Sequence, residues 1–201
     1  MRAVPAPRDP RVWGALWTIY LVWGSTYLAM RVMVRTVPPL LGASGRFLIA
    51  GAVVLAWVWL REGRGALRLE RRQLALLALT GTLVPGIGNG LNTLAVRHAT
   101  SVVVALLNAG VPLFVILLRA LARDRVPRAT LLAVPIGFSG VAILLLPGSK
   151  VGASALGVVF ALGAAGVWGL GSYASSRLVR GIPALVVIGV QMTVAGLVQL
   201  C

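Results

Sequence analysis

Residues 23–51 read WGSTYLAMRVMVRTVPPLLGASGRFLIAG, and nine of these residues recur 145 positions later without a gap. The nine are Trp23, Gly24, Ala29, Val34, Arg35, Pro38, Leu40, Ala50 and Gly51, which align with Trp168, Gly169, Ala174, Val179, Arg180, Pro183, Leu185, Ala195 and Gly196. A fixed period of this kind indicates an internal structural repeat. We therefore expect residues 1–147 to form a first repeat and residues 148–201 to begin a second one, cut short after two spans.

The composition of the chain indicates an integral membrane protein. Hydrophobic residues make up 59% of the 201 residues and charged residues 11%, which is more apolar surface than a soluble domain of this size can bury. Because lipid offers no hydrogen-bond partner, apolar segments of about 20 residues must cross it as helices. Seven segments qualify, at residues 13–30, 40–60, 73–96, 101–118, 129–146, 155–176 and 184–201. The sequence predicts an all-α membrane protein, a polytopic helical bundle.

The positive charges indicate how the chain lies in the membrane. The net charge is +15, yet the basic residues separate apolar runs and form no aromatic-lined stripe, so nucleic acid is not an expected partner. Fourteen of the nineteen Lys and Arg residues fall in the N-terminal segment and in alternate connectors. Such loops stay on the cytoplasmic side, which predicts a cytoplasmic N-terminus in a bacterial-type inner membrane. An odd number of crossings then separates the two copies and inverts the second, an arrangement typical of secondary transporters.

Four short motifs carry a family resemblance. They are the WGSTYLA run at residues 23–29, the PP-x(6)-RF segment from Pro38 to Phe47, Asn108-x(3)-Pro112, and Gly137-x(2)-Gly140-Val141. In this order the chain resembles the EamA-type drug/metabolite transporters. The resemblance implies ten spans in two inverted five-helix repeats, of which about seven are present here, and export of small metabolites or drugs. Asp124 stands where that family usually has Glu. The alternative is a truncated fragment that does not transport, or a structural or assembly partner in a membrane complex.

Enzyme activity is not expected from this sequence. The four acids are Asp9, Glu62, Glu70 and Asp124, all in connecting segments, and the single histidine, His98, lies at the end of a span. They form no paired carboxylates, metal-ligand cluster or nucleophile with an adjacent base within the membrane. We therefore predict no cofactor and no metal.

Arg46 is the one charged residue inside a predicted span, and two interpretations of it stay open. In the first, its planar fork of donors holds an anionic or carbonyl-bearing substrate. In the second, it joins spans by bonding a carbonyl at a helix C-terminus, or extends outward to water. Its partner in the repeat is Gln191, and we expect substrate preference to depend on this difference.

The third span carries a polar helical face that includes Asn89 and Asn92. Pro85 interrupts its backbone hydrogen bonds, so freed carbonyls there are available to a ligand or water. Asn89 is the better ligand candidate, whereas Asn92 fits hydrogen bonding between helices better. Asn108 is a similar amide in the fourth span.

Aromatic residues complete the predicted site. Trp23 and its repeat partner Trp168 form either an apolar wall for an amphiphilic solute or a filling between helices. The predicted substrate-binding set is Trp23, Thr26, Arg46, Asn89, Asn108, Trp168, Tyr173 and Gln191. The expected solute is an amino acid, a related metabolite or a drug, exported by alternating access. Besides the lipid bilayer and this solute, the expected partner is a second copy of the chain or a completing subunit.

Overall fold

A computed structural model describes residues 10–144 and 154–201. Over these ranges the chain forms seven long helical segments and a short 3₁₀ turn at Arg64–Leu67. The segments are α1 (Pro10–Met33), α2 (Pro39–Glu62), α3 (Arg71–His98), α4 (Ser101–Leu121), α5 (Arg128–Leu144), α6 (Ala155–Leu178) and α7 (Ala184–Val198). The predicted boundary between the repeats, the end of the fifth predicted span, Asp9 and most of the basic N-terminal segment lie outside the described residues.

Each predicted span overlaps one of these helices. Four of the described helices, α2, α3, α4 and α6, are long and apolar enough to cross a membrane. Helices α5 and α7 are apolar but shorter, and α1 is 24 residues long and rich in Trp and Tyr. The prediction of an all-α membrane protein is confirmed.

Helix α3 changes its winding in the middle. Residues Thr82–Gly88 are π-helical, between α-helical turns on both sides, and Pro85 lies within this stretch. Proline has no N–H to donate, so the regular hydrogen-bond ladder cannot continue through it. The Nε2 atom of Gln199 donates to the carbonyl oxygens of Pro85 and Gly86, at 2.8 Å each. The interruption that the sequence predicts is present. The missing N–H of Pro85 leaves a carbonyl one turn earlier without its helical donor, whereas Gln199 bonds the carbonyls of Pro85 and Gly86 themselves.

Helices α2 and α7 pack through glycines in a reciprocal pattern. A Cβ atom at Gly51 would lie 2.5 Å from Oγ1 of Thr193, and one at Gly196 would lie 2.6 Å from Cγ of Leu48. Leu48 and Thr193 are 145 positions apart, as are Gly51 and Gly196. Each contact is therefore the repeat image of the other, as in a self-complementary interface around a two-fold axis. Earlier residues of α2 meet later residues of α7, so the two helices run antiparallel.

A buried apolar cluster lies where α1, α4 and α6 meet the last turns of α3. Its fully or almost fully buried members are Met30, Ala95, Val96, Ala99, Val103, Val104, Leu107 and Ala161. At its edge the Arg31 side chain donates to the carbonyl oxygens of Val96 and Ala99. These carbonyls end helix α3 and have no partner within the helix. Arg31 thus makes a bond of the kind that was one of two interpretations of Arg46, an arginine bound to carbonyls at a helix C-terminus.

Candidate solute-binding cavity

A cavity of about 520 Å³ lies among α1, α2, α3, α6 and α7. Most of its wall is apolar, with a small number of polar side chains directed into it, as is usual for sites that bind small molecules. Six residues of the predicted set line it, namely Trp23, Thr26, Arg46, Asn89, Trp168 and Gln191. Of the described residues that line the cavity, Arg46 alone carries a charge.

The Arg46 side chain is held at the cavity wall by two neighbours. Its Nη2 atom donates to Oδ1 of Asn89 at 2.8 Å, and its Cζ atom lies 4.9 Å from the ring centroid of Phe47. Asn89 is 7% exposed, and its backbone carbonyl accepts from Oγ1 of Thr93 at 2.9 Å. The guanidinium is therefore anchored at one nitrogen by a nearly buried amide, with its aromatic neighbour on one side.

The two tryptophans that are equivalent in the repeat meet in the cavity. The ring centroids of Trp23 and Trp168 are 6.2 Å apart, with 67° between the ring planes. This is an edge-to-face pair, an arrangement that aromatic rings prefer because of their charge distribution. Trp23 of α1 and Trp168 of α6 therefore form an aromatic part of the cavity wall.

Gln191 occupies on α7 the position that Arg46 occupies on α2. Both line the cavity, but Gln191 donates from Nε2 to Oγ1 of Thr80 at 2.8 Å, whereas Arg46 bonds Asn89. The two equivalent positions therefore differ in charge and in hydrogen-bond partner.

The structure places the other two predicted residues outside this cavity. Asn108 forms a reciprocal amide pair with Asn92: Asn108 Nδ2 lies 2.6 Å from Asn92 Oδ1, and Asn92 Nδ2 lies 3.2 Å from Asn108 Oδ1. Asn92 itself lines the cavity and is 2% exposed. Tyr173 lies near the end of α6, where Cζ of Arg177 is 5.1 Å from its ring centroid.

Sequence reasoning left out several residues of the cavity wall. These are Tyr27, Met30, Phe47, Ala50, Val84, Pro85, Asn92, Ile188 and Met192. Helical spacing could have predicted those on α1, because positions three, four and seven residues after Trp23 share its helix face. Thr26, Tyr27 and Met30 occupy those positions.

An ion pair ties the connector after α4 to the end of α6. The Arg177 side chain donates to both carboxylate oxygens of Asp124, and Nε of Arg119 lies 3.6 Å from Oδ2 of Asp124. The hydrogen bond from Arg177 is the main cause of the lowered pKa of Asp124. In residues 10–144 and 154–201 no three His, Cys, Asp or Glu side chains lie together in a way that could hold a metal ion.

The fold and the cavity define a class: a multi-pass helical membrane protein with a largely apolar cavity between its helices that presents one arginine. Residues 12–146 match the EamA-like transporter family. The chain belongs to this family, and the resemblance drawn from its motifs is confirmed.

Known bacterial proteins have sequences similar to this chain. Over 189 residues the chain is 33% identical to the uncharacterized inner membrane transporter YedA of Escherichia coli K12, covering 93% of this chain and 60% of the relative. Over 44 residues it is 41% identical to Protein PagO of Salmonella typhimurium, covering 22% of this chain and 14% of that protein. The chain thus spans about three fifths of the length of YedA. No solved structure matches it.

Proposed function

We propose that this chain binds a small organic solute in the cavity through the anionic group of that solute, and moves it across the bacterial inner membrane by alternating access. The substrate class is an amino acid, a related metabolite or an amphiphilic drug with a carboxylate or similar group, and the direction is export. Membership of a transporter family supports transport, and the arginine distribution supports a cytoplasmic N-terminus. The observation that carries the solute class is the Arg46–Asn89 hydrogen bond in an apolar cavity.

The charge of Arg46 supports an anionic group on the solute. An arginine within a span costs about 2.5–3.5 kcal/mol in insertion experiments, so a structure that retains one needs a compensating contact. A guanidinium has five N–H donors, and the bond to Asn89 uses one of them. A carboxylate can accept two parallel hydrogen bonds from such a fork. Arg46 is therefore the recognition group for the anion, and Asn89 orients it.

The apolar wall of the cavity supports a solute that is partly apolar. Trp23 and Trp168 form one side of the cavity, and Ile188 and Met192 of α7 contribute aliphatic surface. An apolar wall with few polar groups favours a ligand that is itself part apolar and part charged. The hydrocarbon or aromatic part of the solute lies against these side chains while its anionic group faces Arg46.

The contacts of α2 with α7 and the π-helical stretch of α3 support alternating access. The reciprocal contacts of α2 and α7 are those expected when two inverted repeats face each other, and inverted repeats support two alternative openings of one site. The π-helical stretch of α3 contributes Val84 and Pro85 to the cavity wall. Single π-helical turns inside α-helices occur frequently at functional sites. Helix α3 is thus the element whose change of shape would open or close the cavity.

The experiment is solute counterflow in proteoliposomes with a radiolabelled mixture of the protein amino acids. We expect accumulation above that in protein-free vesicles, and a loss of about tenfold or more in Arg46→Gln, since a hydrogen bond to a charged group contributes about 1.5–3 kcal/mol. Arg35→Gln is the matched control, because Arg35 is exposed in the connector after α1. It removes the same charge and should retain the activity of the unmodified chain.

Flux no greater than that of protein-free vesicles would contradict transport by this chain and favour the alternative of an assembly partner in a membrane complex. The same vesicles test the proposed oligomer. If a second copy completes the pathway, flux per protein rises with the protein-to-lipid ratio. If flux per protein stays constant, the transporting unit does not form by association of copies in the membrane.

A further inference from the structure

Two cavities lie beside the end of α6, away from the solute cavity. One, of about 360 Å³, is lined by residues of α4, α6 and the connector after α4. The other, of about 310 Å³, lies between the start of α3 and the end of α6. Both are lined by Arg177 and Arg180, so these two arginines join the cavities into one basic region.

The charges in this region do not cancel. The larger cavity contains Arg119, Arg177 and Arg180 against a single acid, Asp124. Asp124 is already bonded to Arg177 and lies close to Arg119, whereas Arg180 forms no ion pair within the described ranges. The cavity therefore keeps a positive charge and one exposed guanidinium without an acidic partner there.

The smaller cavity repeats this excess of arginine. It adds Arg72 to the shared pair, and its one acid is Glu70. The Glu70 side chain accepts a hydrogen bond from the backbone of Gln73 in a capping box at the start of α3. Its acceptor capacity is thus partly used by the helix terminus, which leaves the arginines available to an external anion.

Hydroxyl groups add further donors to the larger cavity. Ser172, Tyr173 and Ser176 line it together with the arginines. The Ser176 hydroxyl already donates to the backbone carbonyl of Tyr173, so Ser172 and Tyr173 are the donors available to a ligand. The ring of Tyr173 lies against Arg177, which holds the phenol beside the basic groups. Arginine forks with neighbouring hydroxyls suit phosphate oxygens, which accept several hydrogen bonds at once.

The positions of the helix ends favour a membrane lipid as the source of the phosphate. Helix α4 ends at Leu121 and α6 at Leu178, and α3 begins at Arg71, so three spanning helices terminate around these cavities. Ends of spanning helices lie at the level of the lipid headgroups. Basic pockets between such helices bind the headgroups of anionic lipids.

We propose that the larger cavity binds the phosphate of an anionic phospholipid, with Arg180 as a direct ligand and Arg177 and Arg119 as supporting charges. The site is separate from the solute cavity and stands independently of the proposed transport. Asp124 opposes binding by its negative charge, so its removal should strengthen the interaction.

Native mass spectrometry of the detergent-purified chain tests this proposal. The protein is mixed with equal amounts of dioleoylphosphatidylglycerol and dioleoylphosphatidylcholine, and retained lipid is counted. We expect preferential retention of phosphatidylglycerol, about fivefold weaker binding in Arg180→Gln, and stronger binding in Asp124→Asn. Arg68→Gln is the control, since Arg68 is exposed in the connector between α2 and α3 and carries the same charge.

Two results would overturn the proposal: equal retention of the two lipids, or equal losses in Arg180→Gln and Arg68→Gln, which would indicate attraction to net charge alone. Glycerol 3-phosphate and inorganic phosphate are added in separate samples. If either displaces phosphatidylglycerol when present at the same concentration, the ligand is a soluble phosphate and the assignment to lipid is wrong.

Discussion

Two neighbouring surfaces of α2 differ in how they follow the internal repeat. Towards α7, the contacts of Gly51 with Thr193 and of Gly196 with Leu48 are images of each other. Towards the cavity, Arg46 bonds Asn89 while its equivalent, Gln191, bonds Thr80. Close packing leaves no room for a side chain at Gly51 or Gly196, whereas positions 46 and 191, which face the cavity, accommodate two different polar side chains. The symmetric surface holds the helices together, and the asymmetric one is where we propose that the solute is recognised.

The largest expected effect comes from breaking the symmetric surface. Gly51→Ala places a Cβ atom 2.9 Å from the backbone nitrogen of Thr193, so α2 and α7 must separate. Overpacking of this kind costs about 2–3 kcal/mol. We expect a lower melting temperature of the purified protein in detergent. Gly196→Ala should lose a similar amount, because its added atom meets Leu48 in the same way.

The matched control for both glycine variants is Gly45→Ala. Gly45 is also in α2, but a Cβ atom there has no neighbour within 4 Å. Alanine is the better helix former by about 1 kcal/mol, so this variant should be as stable as the unmodified chain or more stable. If Gly51→Ala were as stable as Gly45→Ala, the close contact of α2 with α7 would be contradicted.

A smaller effect is expected from the amide pair behind the cavity wall. Asn108→Leu leaves the nearly buried Asn92 without its partner, and hydrogen bonds between membrane helices contribute about 1 kcal/mol. Replacing both residues by Leu should cost less than the sum of the single changes, because no unpaired amide remains. A double-mutant cycle of unfolding free energies measures this coupling. Strictly additive losses would show that the two amides do not interact.

The smallest effect on stability is expected at the Asp124–Arg177 pair. This pair is partly exposed and belongs neither to the surface of α2 that faces α7 nor to the surface that faces the cavity. The hydrogen bond from Arg177 lowers the pKa of Asp124 below 3.8. The pair therefore stabilises the fold fully at neutral pH, and this contribution is lost as the pH falls from 3.8 through the lowered pKa. Melting temperatures of Asp124→Asn and the unmodified chain should differ slightly at neutral pH and converge in acid. A difference that widens in acid would contradict this assignment.

Much of the fold could be predicted from the sequence because the membrane restricts it. Apolar length sets each helix, and Pro85 interrupts α3 as expected because proline cannot donate a hydrogen bond. A pattern within one segment does not reveal which distant side chain bonds the carbonyls of the π-helical stretch. That partner is Gln199, 114 positions after Pro85.

The site was predictable to the extent that the repeat marks it. Trp23 and Trp168 were paired by sequence and meet in the cavity. Asn108 and Tyr173 looked equally suitable because a polar group in a span reveals nothing of the direction it faces. Asn108 pairs with Asn92 instead, and Tyr173 lies beside Arg177. Such contacts depend on how helices rotate against one another, which packing with distant residues decides.

The central claim is that Arg46 recognises the anionic group of the solute. The most direct test compares uptake of L-phenylalanine with uptake of L-phenylalaninamide, which lacks the carboxylate, in vesicles that contain the unmodified chain or Arg46→Gln. We predict that the unmodified chain prefers the carboxylate by about tenfold or more and that the variant, still folded, takes up both compounds equally. The same preference in both proteins, or no preference in the unmodified chain, would contradict the account.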